Sequence, residues 1–563
     1  MPYWLFRIDP RIDFALLALV LLALAWPRFA DSFFGRLESF AARLATHKRL
    51  AVAATFLAAI ILRLSLWPFG PLVPVPHVHD EMSYLLAADT FAHGHLTNPP
   101  HPMWLFFDTI HVNQHPTYMS KYPPAQGAVL ALGQILGQPW IGVLLSVAAL
   151  CAAIVWMLQG WMSPRWAILG GALVVARFAA GNYWVDSYWG GAVAATGGAL
   201  AIGALPRIFR RQRPRDALLL GVGAAILANS RPFEGLFVFL PVAIALVIWL
   251  LARGAPLLRT TLPRVIAPLA AVLVFTGAFI AYYNWRLTGH PLLFPYILNN
   301  ETYSSTPNFA WQPLHPSHQY ANPQFDAYYN DWMHEVFSET RFDGLRTDVA
   351  HEFQSKLLPF QKYFLPPEIG FPILFTLPWL VRRRKFWLLF APFAVCFLAL
   401  STVVWFEPHY AAPLLGALFA IFMLALRHLR KWRWHGRPIG IALTRAIVFF
   451  IIATIPYRVF ESFRETANDP SVQQMAYRLE FLKQLQSTPG QHLVLVHYGD
   501  DHDVGQEWVY NRAEIDAAKV VWARAIPGAD ESPLLQYFRT REIWDVDADE
   551  DPPTLERREA TAH

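Results

Sequence analysis

The sequence predicts a polytopic α-helical membrane protein of about twelve spans with a small soluble α/β domain at its C-terminus. Three observations predict it. The 563 residues are 55% hydrophobic and only 15% charged, too apolar for a water-soluble globule. Long windows such as Phe14 to Trp26, Trp140 to Leu158 and Val265 to Tyr283 lack acidic groups and approach the length of a bilayer core. Beyond Tyr457 the composition turns acidic and soluble in character.

Taken in order, the apolar windows place spans at 13–30, 50–67, 139–160, 165–180, 190–208, 215–230, 234–251, 264–283, 368–381, 386–406, 409–427 and 439–457. The first runs straight into an amphipathic segment, with no small-residue cleavage site, and reads as a retained span. Ala125 to Gly137 is apolar but long enough for only half a crossing, so it reads as an interfacial or re-entrant helix. With that count the basic clusters Lys48-Arg49, Arg210 to Arg213, Arg382 to Lys385 and Arg427 to Arg437 share one side, which the positive-inside rule makes the cytoplasm. The net charge of +5 is therefore an orientation signal, and no nucleic-acid partner is expected. The outer side receives loops 68–124 and 287–367 and the tail, dividing the chain into a membrane domain, 1–457, and a periplasmic domain, 458–563. A bacterial inner membrane is the expected location.

In the tail, helical patterns at Gln473 to Leu485, near Ala513 and at Leu534 to Phe538 alternate with apolar runs at His492 to Tyr498, Lys519 to Ala523 and Ile543 to Val546. That alternation predicts a parallel sheet. Gly499-Asp500-Asp501-His502 lacks phosphate-loop spacing, so no nucleotide site is expected. Cys151 and Cys396, the only cysteines, lie in apolar spans and indicate neither a disulfide framework nor a thiolate metal site.

The first outer loop carries His79-Asp80-Glu81 at a helix start. Acids there are favoured by the helix dipole and need no further role. Their company argues otherwise. The chain returns to the outer face at Lys121-Tyr122-Pro123-Pro124, at Asn182 to Gly191 with Asp186, at Asn229-Ser230-Arg231-Pro232-Phe233-Glu234 and at Glu407-Pro408-His409-Tyr410-Ala411-Ala412-Pro413. Ionisable groups gathered at span ends on one face mark a functional site. The histidines His77, His79, His93, His95, His101, His111 and His115 show no helix-spaced zinc signature.

In this order the acidic pair, the Tyr-Pro-Pro element, the Asn-Ser-Arg-Pro-Phe-Glu turn and the late His-Tyr-Ala-Ala-Pro turn resemble the GT-C class of membrane glycosyltransferases. The nearer likeness is to its ArnT and mannosyltransferase-related branch, which includes the rhizobial lipopolysaccharide Rgt enzymes. The likeness runs over roughly residues 50 to 430. It implies inverting transfer of a hexose or pentose from a polyprenyl-phosphate donor to a lipid, glycan or protein acceptor at the periplasmic face. Asp80 would be the general base, and Glu81 would orient the acceptor or, with His79, bind a divalent cation such as Mg or Mn. Lys121, Arg177 and Arg231 would meet the departing phosphate, with Arg231 foremost because its planar fork holds two oxygens. Tyr122, Asp186, Glu234, His409 and Tyr410 complete the expected substrate-binding set. The chain departs from the class pattern in three respects: Glu407-Pro408-His409 where a basic residue commonly precedes the late tyrosine, an extra span at 13–30, and the α/β tail.

Two other functions compete, a transporter or flippase of a lipid-linked or polar solute and a non-catalytic assembly protein. Transporters show related halves and broken helices meeting at the midplane, and no internal repeat is present here. A scaffold leaves the converging acids and arginines unexplained.

Overall fold

The computed structural model describes residues 10–253, 256–341 and 347–558. The outer ends of the two expected domains, 1–9 and 559–563, lie outside the described residues. The first part of the chain is helical: α1 (Pro10–Ala25), α2 (Asp31–Thr46), α3 (Lys48–Leu64), α4 (His79–Ala92), α5 (Pro124–Ile135), α6 (Pro139–Trp161), α7 (Pro164–Phe178), α8 (Ala192–Arg211), α9 (Pro214–Ser230) and α10 (Pro232–Leu251). Further helices at Ala267–Thr288, Pro367–Leu380, Arg384–Leu400, Leu415–Leu429 and Ile439–Ala453 follow.

Each of the twelve expected segments is helical. Seven helices among the described residues have the length and composition to cross a bilayer: Lys48–Phe69, Pro139–Trp161, Ala192–Arg211, Pro232–Leu251, Leu258–Thr288, Pro408–Leu429 and Ile439–Ala467. The other five expected segments form α1, α7, α9 and the helices Pro367–Leu380 and Arg384–Leu400, of 14 to 17 residues. Internal prolines and flanking Ser, Gly and Pro residues shorten apolar runs that composition alone reads as longer. The segment after Pro123 forms α5, a helix of 12 residues, too short to span.

Burial separates centre from rim. Ninety-four per cent of the best apolar window in Pro408–Leu429 is enclosed by protein, against 11% in Leu258–Thr288, whose apolar face is left for lipid. Small residues let the central helices approach. A Cβ at Gly198 would stand 2.1 Å from the Pro413 carbonyl oxygen, and one at Gly191 would stand 2.5 Å from the Ala412 Cβ. Close approach of this kind is how membrane helices gain packing. Here it seats the Pro408–Leu414 turn against the start of α8.

A two-stranded hairpin, β1 (Val112–Asn113) and β2 (Met119–Ser120), closes the loop 68–124 with Val112 opposite Ser120. The tail holds a helix, Pro470–Ser487, and a sheet of β3 (His492–His497), β4 (Val520–Arg524), β5 (Glu542–Asp547) and β6 (Thr554–Arg557) in the order β4-β3-β5-β6. The first three strands are parallel, and β6 is antiparallel to β5. Only Leu555 of β6 is even partly covered, so this edge strand has no apolar run to announce it. The stretch near Ala513 forms turns, not the expected helix. Its backbone is instead anchored by Asp89, whose Oδ2 accepts from the Ala513 N–H at 2.9 Å.

Candidate active site

The loops at one end of the helical bundle enclose a cavity of about 1400 Å³, lined among others by Asp80, Lys121, Tyr122, Arg231, Glu234, Glu407 and Tyr410. It also takes walls from the tail, through Asp503, Val504 and Gly505.

Asp80 and Glu81 leave α4 in different directions, because successive helical residues are about 100° apart. Glu81 turns inward and is fully buried. Its Oε2 accepts from the His77 and Val78 N–H groups at 2.9 and 3.4 Å, and its Oε1 accepts from the Tyr188 N–H at 2.8 Å. Glu81 thus caps its own helix and pins it to the segment before α8. Burial pushes its carboxyl up, opposed by His77 and these N–H donors.

Asp80 faces the cavity. Its Oδ1 accepts a short hydrogen bond from the Tyr122 hydroxyl, and its Oδ2 lies 3.7 Å from His111 Nδ1. The Tyr122 oxygen is 3.0 Å from the same His111 nitrogen, and His111 Nε2 is 3.2 Å from the Tyr328 hydroxyl. Because Tyr122 donates to Asp80, its oxygen accepts from His111 Nδ1–H, and Nε2 accepts from Tyr328. Burial, then Lys121 and His79, hold the His111 imidazole well below its ordinary range, so it is neutral. The hairpin makes this possible. His111, at φ 67°, stands across from Lys121, whose N–H donates to the His111 carbonyl at 3.2 Å. The Ser83 hydroxyl donates to that carbonyl at 2.7 Å, tying the hairpin to α4.

Three cations line the cavity, Lys121, Arg231 and Arg464, the last paired with Glu461. Burial pushes the Lys121 ammonium down to about 8, with Asp80 opposing the shift. Arg231, in the break between α9 and α10, lays its guanidinium 4.2 Å from the centroid of the Tyr410 ring. It makes no ion pair with a described carboxylate, although Glu234 lies one turn into α10. A carboxylate beside two cations in one cavity can take a proton from a nucleophile while anionic charge is held nearby.

No family model matches the chain, and no curated protein matches it. Among solved structures, ArnT from Cupriavidus metallidurans bound to undecaprenyl phosphate matches with a TM-score of 0.50 at 12% identity, covering 88% of this chain and 92% of that one. The chain shares the fold of ArnT. ArnT in the apo state matches at 0.49 and 13% identity, over 89% and 93% of the two chains. The Archaeoglobus fulgidus oligosaccharyltransferase tethered with an acceptor peptide matches at 0.42 and 11% identity, over 80% and 62%.

Within this fold six of the sequence-expected residues meet: Asp80, Lys121, Tyr122, Arg231, Glu234 and Tyr410. Others do not join them. Glu81 is the buried cap just described. His79 touches the cavity wall, but its Nδ1 is 3.0 Å from the Tyr510 hydroxyl and its Nε2 is 2.8 Å from the Val504 carbonyl, so it ties the tail to α4. With these atoms engaged, Glu81 and His79 do not fit a divalent cation. Arg177 donates to the Tyr363 carbonyl at 2.8 Å and borders a separate cavity of about 640 Å³. Asp186 is 2.6 Å from the buried Arg63. His409 is packed behind the wall, 4.7 Å from Trp189, with Nδ1 3.3 Å from the Tyr183 hydroxyl. Each is held by a partner that only the folded chain supplies. Three lining residues lie outside the expected site set: Tyr328, which carries no sequence signal, His111, read only as one of several histidines, and Glu407, read only as the start of the late turn. Burial pushes the Glu407 carboxyl up to about 7.

Proposed function

We propose that the chain transfers a monosaccharide, hexose or pentose, from a polyprenyl-phosphate donor to a hydroxyl of an envelope lipid, glycan or protein at the periplasmic face of a bacterial inner membrane. The observation that carries the reading is Asp80, open to a cavity that also holds Lys121 and Arg231. ArnT, whose fold the chain shares, has been solved with undecaprenyl phosphate, which supports a lipid-phosphate donor.

In this reading Asp80 removes the proton of the acceptor hydroxyl as its oxygen attacks the anomeric carbon. The anomeric carbon–oxygen bond to phosphate breaks, and the leaving phosphate takes the electron pair. Lys121 and Arg231 meet the resulting charge. One displacement from the face opposite the phosphate inverts the anomeric configuration. The hydrogen bond from Tyr122 fixes Asp80 Oδ1, leaving Oδ2 for the acceptor.

The test is a mass-spectrometric comparison of envelope glycolipids and glycoproteins from cells lacking the chain, complemented with wild type or Asp80→Asn. A sugar-bearing species restored by wild type and not by the equally expressed variant is the expected result. Restoration by the variant would remove Asp80 as base.

A further inference from the structure

Between Asp80 and the loop 287–367 runs a line of hydrogen bonds that the transfer step alone does not require. Tyr122 donates to Asp80 Oδ1, His111 Nδ1 lies 3.0 Å from the Tyr122 oxygen, and the Tyr328 hydroxyl lies 3.2 Å from His111 Nε2. A phenol has one proton to give. Given to Asp80, it leaves the Tyr122 oxygen an acceptor, so His111 Nδ1 carries the ring proton and Nε2 receives from Tyr328. Every donor in the line then points toward the carboxylate, and bonds in such a chain polarise one another. The imidazole does not reach Asp80 itself, because Nδ1 stands 3.7 Å from Oδ2, beyond hydrogen-bond range. Its effect on the base passes through Tyr122.

Packing alone does not explain this ring. His111 sits at φ 67°, a left-handed conformation that glycine or asparagine fills at less cost. Its carbonyl is held there by the Ser83 hydroxyl and the Lys121 N–H. In water, moreover, the neutral imidazole favours the opposite tautomer, with the proton on Nε2. In that form Nδ1 is a lone pair, which takes the Tyr122 proton away from Asp80 and frees the carboxylate to turn. The tautomer of a histidine is set by the hydrogen bonds its two nitrogens make. Here both ends of the line select Nδ1–H. The Asp80 carboxylate does so through Tyr122, and Tyr328, buried on the π-helical turn Ala327–Trp332, gives Nε2 its donor.

We propose that His111 is a positioning residue for the base: held as its Nδ1–H tautomer, it commits the Tyr122 hydroxyl to Asp80 Oδ1 and so keeps Oδ2 turned to the acceptor. The inference rests on the transferase reading and deepens it, since it names what holds the base of that reading in place.

Magic-angle-spinning NMR of the [15N]histidine-labelled full chain in lipid bilayers reads the tautomer without any substrate, with the His111 signals identified by their loss in His111→Asn. The expected result is Nδ1–H in wild type and Nε2–H in Asp80→Ala, where the Tyr122 proton turns to the imidazole. Tyr329→Phe removes the neighbouring hydroxyl, buried without a partner among the described residues, and should leave the wild-type tautomer. In transfer assays His111→Leu should lower kcat about tenfold, the worth of one buried hydrogen bond, with KM little changed. His111→Asn, whose amide donates from near the Nδ1 position, should recover part of that loss. Added to Tyr122→Phe, His111→Leu should lower kcat no further, because its effect passes through that hydroxyl. Nε2–H in wild type, an unchanged tautomer in Asp80→Ala, or additive losses in the double variant would each overturn the proposal and leave the transferase reading intact. The expected tautomers in a chain that proves to transfer no sugar would sink the transferase reading and leave the line of hydrogen bonds standing.

Discussion

Arg231 and Tyr410 stand 179 positions apart in sequence, yet the guanidinium lies over the phenol ring at 4.2 Å from its centroid. A cation thus stands beside Tyr410 in space, from the break between α9 and α10, although the sequence has none just before it. Pro232 begins α10, and the chain at Arg231 is neither in the preceding helix nor in the next, which leaves its side chain free to cross to the Pro408–Leu414 turn.

That relationship predicts how the donor is held. Arg231→Ala should raise the KM for a polyprenyl-phosphate sugar about 10- to 100-fold, the worth of a charge-assisted pair to phosphate. Arg231→Lys should recover only part of it, because a point charge loses both the fork and the ring contact. Tyr410→Phe should be nearly silent in KM, since the ring face survives. A Tyr410→Phe loss as large as that of Tyr410→Leu would show that the hydroxyl, not the face, matters.

The neighbouring carboxylates should fail in opposite ways. Asp80→Ala is expected to express and fold like wild type while kcat falls at least ~100-fold. Glu81→Ala leaves three N–H donors unpaired, that of Tyr188 buried and those of His77 and Val78 half-buried, at up to ~1–3 kcal/mol each, and should not accumulate as folded protein. Size-exclusion profiles of the two variants in detergent, read beside activity, separate the cases.

Lys121 gives the donor step a pH dependence. Its ammonium, pushed down to about 8 by burial, is charged below that pH and neutral above it. Donor KM should therefore rise as pH passes through about 8, and Lys121→Met should show the high value throughout. Lys121→Arg keeps its charge to far higher pH and should flatten the rise. A wild-type KM that is level from pH 7 to 9 would remove Lys121 from the phosphate site.

How far the site was legible follows from the same residues. Asp80, Lys121, Arg231 and Glu234 stand out in sequence because a charge at the end of an apolar span is costly and demands a reason. Glu81 has the same signal and a different fate. Which of two adjacent carboxylates faces the cavity depends on where the helix starts, and composition does not fix that to one residue. Arg177 reads like Arg231 but meets the Tyr363 carbonyl, on a helix from the loop 287–367 whose position no local pattern encodes. His111 and Tyr328 become neighbours only when the hairpin and that loop close over α4. The apolar helical segments are legible because hydropathy reports composition, while the length of each helix answers to prolines and end signals that hydropathy averages away.

Away from the cavity, Asp108 makes a prediction about stability whose sign is fixed. It lies where the loops 68–124 and 287–367 meet the tail, and its Oδ1 accepts from the Tyr303 hydroxyl at 2.9 Å. Burial pushes its carboxyl up to about 7, against that hydrogen bond and the Arg524 guanidinium. The folded chain therefore keeps a proton that the unfolded chain releases near pH 4, so stability is greatest below that pH and declines until about 7. The slope approaches ~1.4 kcal/mol per pH unit inside the window and vanishes above it. Asp108→Asn retains an oxygen for Tyr303 and cannot ionise, so its thermal midpoint should lack this decline and exceed that of wild type at pH 8. Thermal unfolding of both proteins in detergent from pH 4 to 8 measures the difference. Parallel curves would mean that Asp108 is ionised at neither or both ends of the range.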